Sequence, residues 1–176
     1  MTTHLALEGA LPENMFAPFT IPATSTGPNS APTVHWGNVD TDSMVNILYS
    51  GVLQGFPELE QFKMAFQHEV KGIGNKTTKV ICKLANVPVS IGAGLLKGSY
   101  HTTTFYVLDV PTYHCILGLT LLSQIDAGVF CSTRRMQFQL GEAGGHKYHS
   151  IPLVPRSQVK LTPAYLTVHP DPHVHA

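Results

Sequence analysis

Charge is scarce in this sequence. Asp, Glu, Lys and Arg make up 12 % of its 176 residues, and eleven basic side chains are cancelled by eleven acidic ones. A chain so balanced, with no basic run, carries no electrostatic footprint for DNA or RNA. Cysteine is rare too. Cys82, Cys115 and Cys131 are three, widely spaced, and form no Cys-x-x-Cys pair, which excludes a disulfide framework and a thiolate metal or redox site. A reducing, intracellular setting is the expectation. No apolar run approaches the ~20 residues a bilayer-spanning helix needs. The opening Met1-Thr2-Thr3-His4-Leu5-Ala6-Leu7-Glu8 lacks a basic segment followed by an apolar one, so no secretory signal is expected. These absences point to a soluble cytoplasmic protein without membrane or nucleic-acid partners.

Apolar residues, by contrast, reach 43 %, enough to pack a core in a chain of this length. Ten histidines make net charge climb as pH falls through ~6.5. Residues 1–30 hold Pro12, Pro18, Pro22 and Pro28, a density that opposes regular structure and predicts a flexible leader. The bulky Met15, Phe16 and Phe19 allow the other reading, that the leader packs along the domain. From Thr33 the pattern turns to strands: Thr33–Trp36, broken by Gly37-Asn38 and resumed at Val39, then an apolar run Met44–Tyr49. Leu53, Phe56, Leu59, Phe62 and Phe66 recur at helical steps, interrupted by Pro57. A strand entering a glycine-rich hairpin follows at His68–Lys76, and β-branched Thr77–Leu84 leaves it. Val87–Ile91 reads as a separate strand, with Pro88 marking an edge or a start. His101–Leu108 and Cys115–Leu117 are strands, Leu119–Asp126 a short helix, and Gly128–Ser132 and Arg135–Leu140 a closing pair. After Gly141 the chain reads as a loose tail rich in proline and histidine. The expectation is a mainly β protein of the closed or nearly closed barrel class, with one or two short helices, occupying residues 31–141 between a leader (1–30) and a tail (142–176).

Three segments carry chemistry. Gly37-Asn38-Val39-Asp40-Thr41-Asp42-Ser43-Met44-Val45-Asn46-Ile47-Leu48 exposes two carboxylates on a turn between apolar positions. Val70-Lys71-Gly72-Ile73-Gly74-Asn75 is the hairpin tip, and Cys115-Ile116-Leu117-Gly118-Leu119-Thr120-Leu121-Leu122 is a strand, a tight turn and a helix. In that order and at that spacing they resemble the retroviral-type (retropepsin-like) aspartic proteases, closest in style to the protease region of Gypsy-like LTR-retrotransposon polyproteins. The resemblance implies a closed β-barrel of the acid-protease fold and an endopeptidase acting on a peptide or polyprotein. It makes Asp40, Thr41 and Asp42 the catalytic triplet. Val70, Gly72, Ile73 and Gly74 become a flap over the substrate, and Ile116, Leu117 and Gly118 the support beneath the triplet. One such Asp per chain implies a homodimer, and neither cofactor nor metal is called for. The family's third triplet residue is Gly. Asp42 here adds a charge to each half-site, and Asn38 stands where an apolar residue is expected; both changes point to impaired cleavage. A catalytically inactive module that dimerises or binds peptides is the alternative.

Other readings of the same residues fit less well. Asp40 read alone is a turn aspartate. Asp40-Thr41-Asp42 also matches the Asp-x-Asp of haloacid-dehalogenase-like phosphotransferases, but that family needs a strongly apolar strand before it and a parallel α/β sheet. A calcium loop lacks its later carboxylates. His146, His149, His169, His173 and His175 offer zinc ligands without a fixed scaffold, so no metal site is expected.

Overall fold

The computed structural model describes residues 15–21, 33–66, 69–71, 77–92, 100–112, 114–139 and 148–159. Six strands close a ring. β1 (Met15–Ile21) pairs antiparallel with β2 (Thr33–Val39), and β2 pairs parallel with β8 (Cys115–Leu117). β8 runs antiparallel to β3 (Asn46–Tyr49), which lies parallel to β7 (His101–Leu108). β7 meets β6 (Thr77–Ile91) antiparallel, and Phe19 and Thr20 of β1 pair with Ile91 and Ser90 of β6 to complete the circle. β4 (Lys63–Met64) and β5 (Glu69–Lys71) add to β6, and β12 (Val154–Pro155) adds to β1. A separate three-stranded sheet joins β9 (Gly128–Phe130), β10 (Arg135–Gln139) and β11 (Tyr148–Pro152).

Between β3 and β4 the chain makes α1 (Ser50–Gly55) and a 3₁₀ segment Pro57–Phe62. The break falls at Phe56–Pro57 because proline has no N–H to continue the helix and disfavours helical backbone before it. α2 (Leu119–Gln124) follows β8 directly. Phe16, Phe19, Trp36, Phe56, Leu84, Phe105, Leu117 and Leu121 are all buried in one core. A smaller cluster, Ile47, Val80, Leu108 and Ile116, forms apart from it, with half-buried Val45, Tyr49, Phe66, Tyr106 and Val110 packed against it.

Three expectations change. Thr77–Leu84 and Val87–Ile91 form one fifteen-residue strand, not two. Between Leu84↔Phe105 and Val87↔Thr103 β6 advances one residue more than β7, and Asn86 takes φ 56° there. This bulge shifts the alternation by one, so Val87, Val89 and Ile91 stay in the core with Leu84. Pro88 therefore lies within the strand, opposite Thr102, and not at its start.

The second change is in the leader. Its Met15–Ile21 is the strand that closes the barrel, and Phe16 through Ile21 are all buried. The third is in the tail, where β11 and β12 pair with β10 and β1 and bury Ile151, Leu153 and Val154. The barrel thus draws on residues outside 31–141 at both ends. Among the described residues no helix is long and apolar enough to cross a membrane.

Candidate active site at the Asp40 turn

β2 carries the chain to Asp40, whose N–H still donates to Leu117 O at 3.0 Å as the last rung beside β8. The chain then reverses: Ser43 N–H donates to Asp40 O at 3.2 Å, and Asp42 N–H donates to Asp40 Oδ1 at 2.9 Å. The carboxylate is thereby folded back into its own turn. Asp40 is only 6 % exposed, and its Oδ2 is also shut off from water. Thr41 and Asp42 are exposed.

A turn this tight must find partners for its carbonyls. Leu119 N–H donates to Ser43 O at 2.7 Å, Thr120 Oγ1 to Met44 O at 2.9 Å, and Ser43 Oγ to Val45 O at 2.7 Å. Asn46, with no exposed surface, donates from Nδ2 to Thr103 Oγ1 (2.9 Å) and Thr104 O (3.1 Å), while its Oδ1 accepts Gly118 N–H (2.9 Å). Gly118 is required by contact. A Cβ there would lie 2.2 Å from Val45 O and 2.7 Å from Ser43 O.

Asp42 fits its place within one chain. Among the described residues the left-handed ones besides glycine are Asn86, Asp126 and Arg134, and Asp42 is not one of them. Its side chain points to solvent, while its N–H serves Asp40. What Asp42 adds is an exposed charge. Asn38 is buried between Phe16 of β1 and Ile116 of β8 in the sheet register.

The three predicted segments are brought together in part. Leu117 and Gly118 sit directly behind the Asp40 turn. Ile116 faces the other way, into the outer apolar cluster, opposite Ile47. Val70 lies on β5, paired with Thr78 of β6, so the hairpin's two arms are in place. Gly72, Ile73 and Gly74 lie outside the described residues. Val80, where β6 leaves the hairpin, belongs to the outer cluster with Ile116.

Asn46, Thr103 and Thr120 escaped the sequence reading. The signal was a polar residue inside the apolar run Val45-Asn46-Ile47-Leu48, since a buried amide must be hydrogen-bonded. Cysteine chemistry has no place here: burial raises the Cys115 thiol far above its ordinary range and Cys82 upward as well. Among the described residues no His, Cys, Asp and Glu cluster fit to hold a metal ion occurs.

No protein-family model and no curated protein sequence matches the chain. Solved structures do. The retroviral protease-like domain of Ddi1 from Leishmania major superposes with a TM-score of 0.55 at 15 % identity, covering 85 % of this chain and 100 % of that one. The EIAV protease bound to the inhibitor HBY-793 matches at 19 % identity over 68 % of this chain and 91 % of that one, with a TM-score of 0.40, too weak a likeness to bear on the fold. The fold is that of the retropepsin-like acid proteases, a mainly β closed barrel with short helices. It is not the parallel α/β sheet an Asp-x-Asp phosphotransferase needs.

Proposed function

We propose that this chain is an aspartic endopeptidase of retropepsin type, acting as a homodimer. The observation that carries the reading is the Asp40 carboxylate, buried and held by the Asp42 N–H on a turn backed by Leu117 and Gly118, within a retropepsin-like barrel. Two such turns meeting across a two-fold axis bring two carboxylates into one site. At ~3 Å separation they cannot both ionise, so the pair holds one proton between them. The ionised member takes a proton from water, and the resulting hydroxide attacks the peptide carbonyl. The protonated member hydrogen-bonds to that carbonyl's oxygen and stabilises the charge growing there; the carboxyl that took the water's proton then gives it to the amide nitrogen as the C–N bond breaks, releasing a carboxylic acid and an amine. Thr41, exposed at the turn, is placed to hydrogen-bond to the second copy.

The cluster of Ile47, Val80, Leu108 and Ile116 is buried, and half-buried Val45, Tyr49, Phe66, Tyr106 and Val110 packed against it offer the apolar face beside the turn. The hairpin arms β5 and β6 continue from it at Val80. An extended peptide laid there is covered by the flap, with Val70, Gly72, Ile73 and Gly74 over it, which excludes water. The substrate proposed is a polyprotein of the LTR-retrotransposon kind, with the barrel from β1 to β12 as the catalytic unit and the residues beyond it at either end as connections to its neighbours.

Exposed Asp42 favours a second reading. A dimer gathers four carboxylates where two suffice, and their repulsion opposes both ionisation and association. On that reading the chain is a catalytically inactive module that dimerises or binds extended peptides. Wild type, Asp42→Gly and Asp40→Asn, each checked for dimerisation by sedimentation, are compared on a mixed peptide library between pH 4 and 7. The protease reading expects pepstatin-sensitive cleavage by Asp42→Gly, weaker cleavage by wild type and none by Asp40→Asn. A folded, dimeric Asp42→Gly that cleaves nothing leaves the binding module.

A further inference from the structure

We infer that Asn46 is the positioning residue of the Asp40 turn, the side chain that locks it to the rest of the barrel. The inference deepens the protease reading and draws its kinetic consequence from it. The hydrogen bonds within the Asp40–Val45 turn and from it to Leu117, Leu119 and Thr120 hold it to β8 and α2. α2 reaches β7 through Gln124 Nε2, which donates to Thr102 O, and β3 pairs with β7 from Asn46 onward. The Asn46 side chain adds the bonds made where the turn re-enters the sheet. Its Oδ1 takes the N–H of Gly118, the residue that starts α2, and its Nδ2 reaches both Thr103 Oγ1 and Thr104 O on β7.

One fully buried amide thus joins three elements, β3, the β8–α2 junction and β7, at the point where the turn re-enters the sheet. Its geometry is specific. A carboxylate at 46 has no donor for Thr104 O, and an apolar side chain takes from the buried Gly118 N–H the acceptor it has here. Gly118 sits where any Cβ would press on Val45 O, and the Asn46 side chain meets its N–H there. Asn46 therefore sets the depth at which Asp40 sits. It contacts no substrate and is not a catalytic residue.

The test uses the full chain as wild type, Asn46→Ala and Thr103→Val, the last removing one acceptor while keeping its shape. Amide hydrogen exchange is read beside kinetics over pH 4–7, in wild-type and Asp42→Gly backgrounds. In Asn46→Ala, exchange at Asp40, Asp42, Ser43, Gly118 and Leu119 is expected to quicken by about tenfold or more. Val87, Val89 and Phe105 in the barrel wall stay within about twofold. Cleavage by the same variant should lose roughly 10- to 100-fold in kcat, with KM nearly unchanged, as displaced catalytic groups do. Thr103→Val should show the same pattern at smaller amplitude, and it decides the matter where Asn46→Ala does not fold. Uniform acceleration through the barrel, or an unchanged turn, overturns the inference. Local acceleration at the turn, with Asp42→Gly silent on every peptide, sinks the protease reading and leaves Asn46 as the lock of the turn.

Discussion

The two ends of β2 bury two ionisable side chains five residues apart and treat them in opposite ways. His35 is 1 % exposed, stacked on Phe19 at 5.3 Å between ring centroids and met edge-on by Phe56 at 4.8 Å. Its Nδ1 has no hydrogen-bond partner among the described residues. Asp40 is nearly as buried, yet its carboxylate receives the Asp42 N–H and its turn is bonded to the neighbouring strand and helix. At the first end the histidine serves as an apolar plate and is held neutral. At the second, backbone dipoles are spent on holding a carboxylate in one orientation. Burial alone therefore does not mark a site; burial with directed donors does.

Removing the apolar end should cost most. Phe19 contacts His35 and Phe105, and its backbone pairs with Ile91 at the closure of the barrel. Phe19→Ala is expected to lose about 3–5 kcal/mol in urea unfolding, as large-to-small core changes do. Gly118→Ala attacks the polar end. Its Cβ would press on two backbone oxygens of the turn, so about 3 kcal/mol of stability should go together with cleavage. Loss of cleavage at unchanged stability would show that the turn yields locally while the barrel stays intact.

Acid separates the two ends further. Desolvation lowers the His35 pKa from 6.5 to about 3. The elements that supply its ring neighbours, β1 and the α1–Phe56 segment, carry no ionisable side chain. Below pH 6.5 the unfolded chain takes up a proton that the folded chain refuses, so stability falls as pH drops and keeps falling toward pH 3. The slope approaches 1.4 kcal/mol per pH unit, or roughly 2–3 kcal/mol at pH 4.5. His35→Phe should flatten that part of the Tm-against-pH curve. An equally steep decline in the variant would assign the acid loss to other groups.

The barrel's order of elements was legible because its strands follow one another with clear turn signals and because Pro57 splits the helical region visibly. β1 was not. Its residues from Phe16 to Ile21 are all buried, so they show no alternation. Pro18 within it looks like a breaker, though it sits opposite Trp36 and its carbonyl takes the Gly92 N–H at 2.8 Å. The bulge at Asn86 was hidden for a related reason: alternation that shifts by one residue reads as two strands. β11 and β12 were obscured by the glycine- and histidine-rich sequence around them. At the site, Asp40, Leu117 and Gly118 could be read from their motif. Asn46 could not be given a role, because its three partners lie 57, 58 and 72 residues away along the chain.

The smallest effect expected is also the one that separates Asp40 from its neighbour. Asp42 contributes to the turn through its N–H, which any residue other than proline keeps, while its carboxylate faces solvent. Asp42→Asn should therefore leave monomer stability unchanged and act only where two copies meet. Exposed like charges brought together by a two-fold axis repel over about 10 Å at 0.1 M salt, the distance at which ions screen them. The dimer dissociation constant at low salt should fall severalfold in Asp42→Asn, and the gap to wild type should close as salt is raised. A gap that persists at high salt would place the Asp42 effect in the shape of the turn, where the close approach of its N–H to Asp40 would have to change. A gap absent at every salt concentration would mean that the Asp42 carboxylates do not face each other, and the two Asp40 turns would then meet at a different angle from the one a shared proton requires.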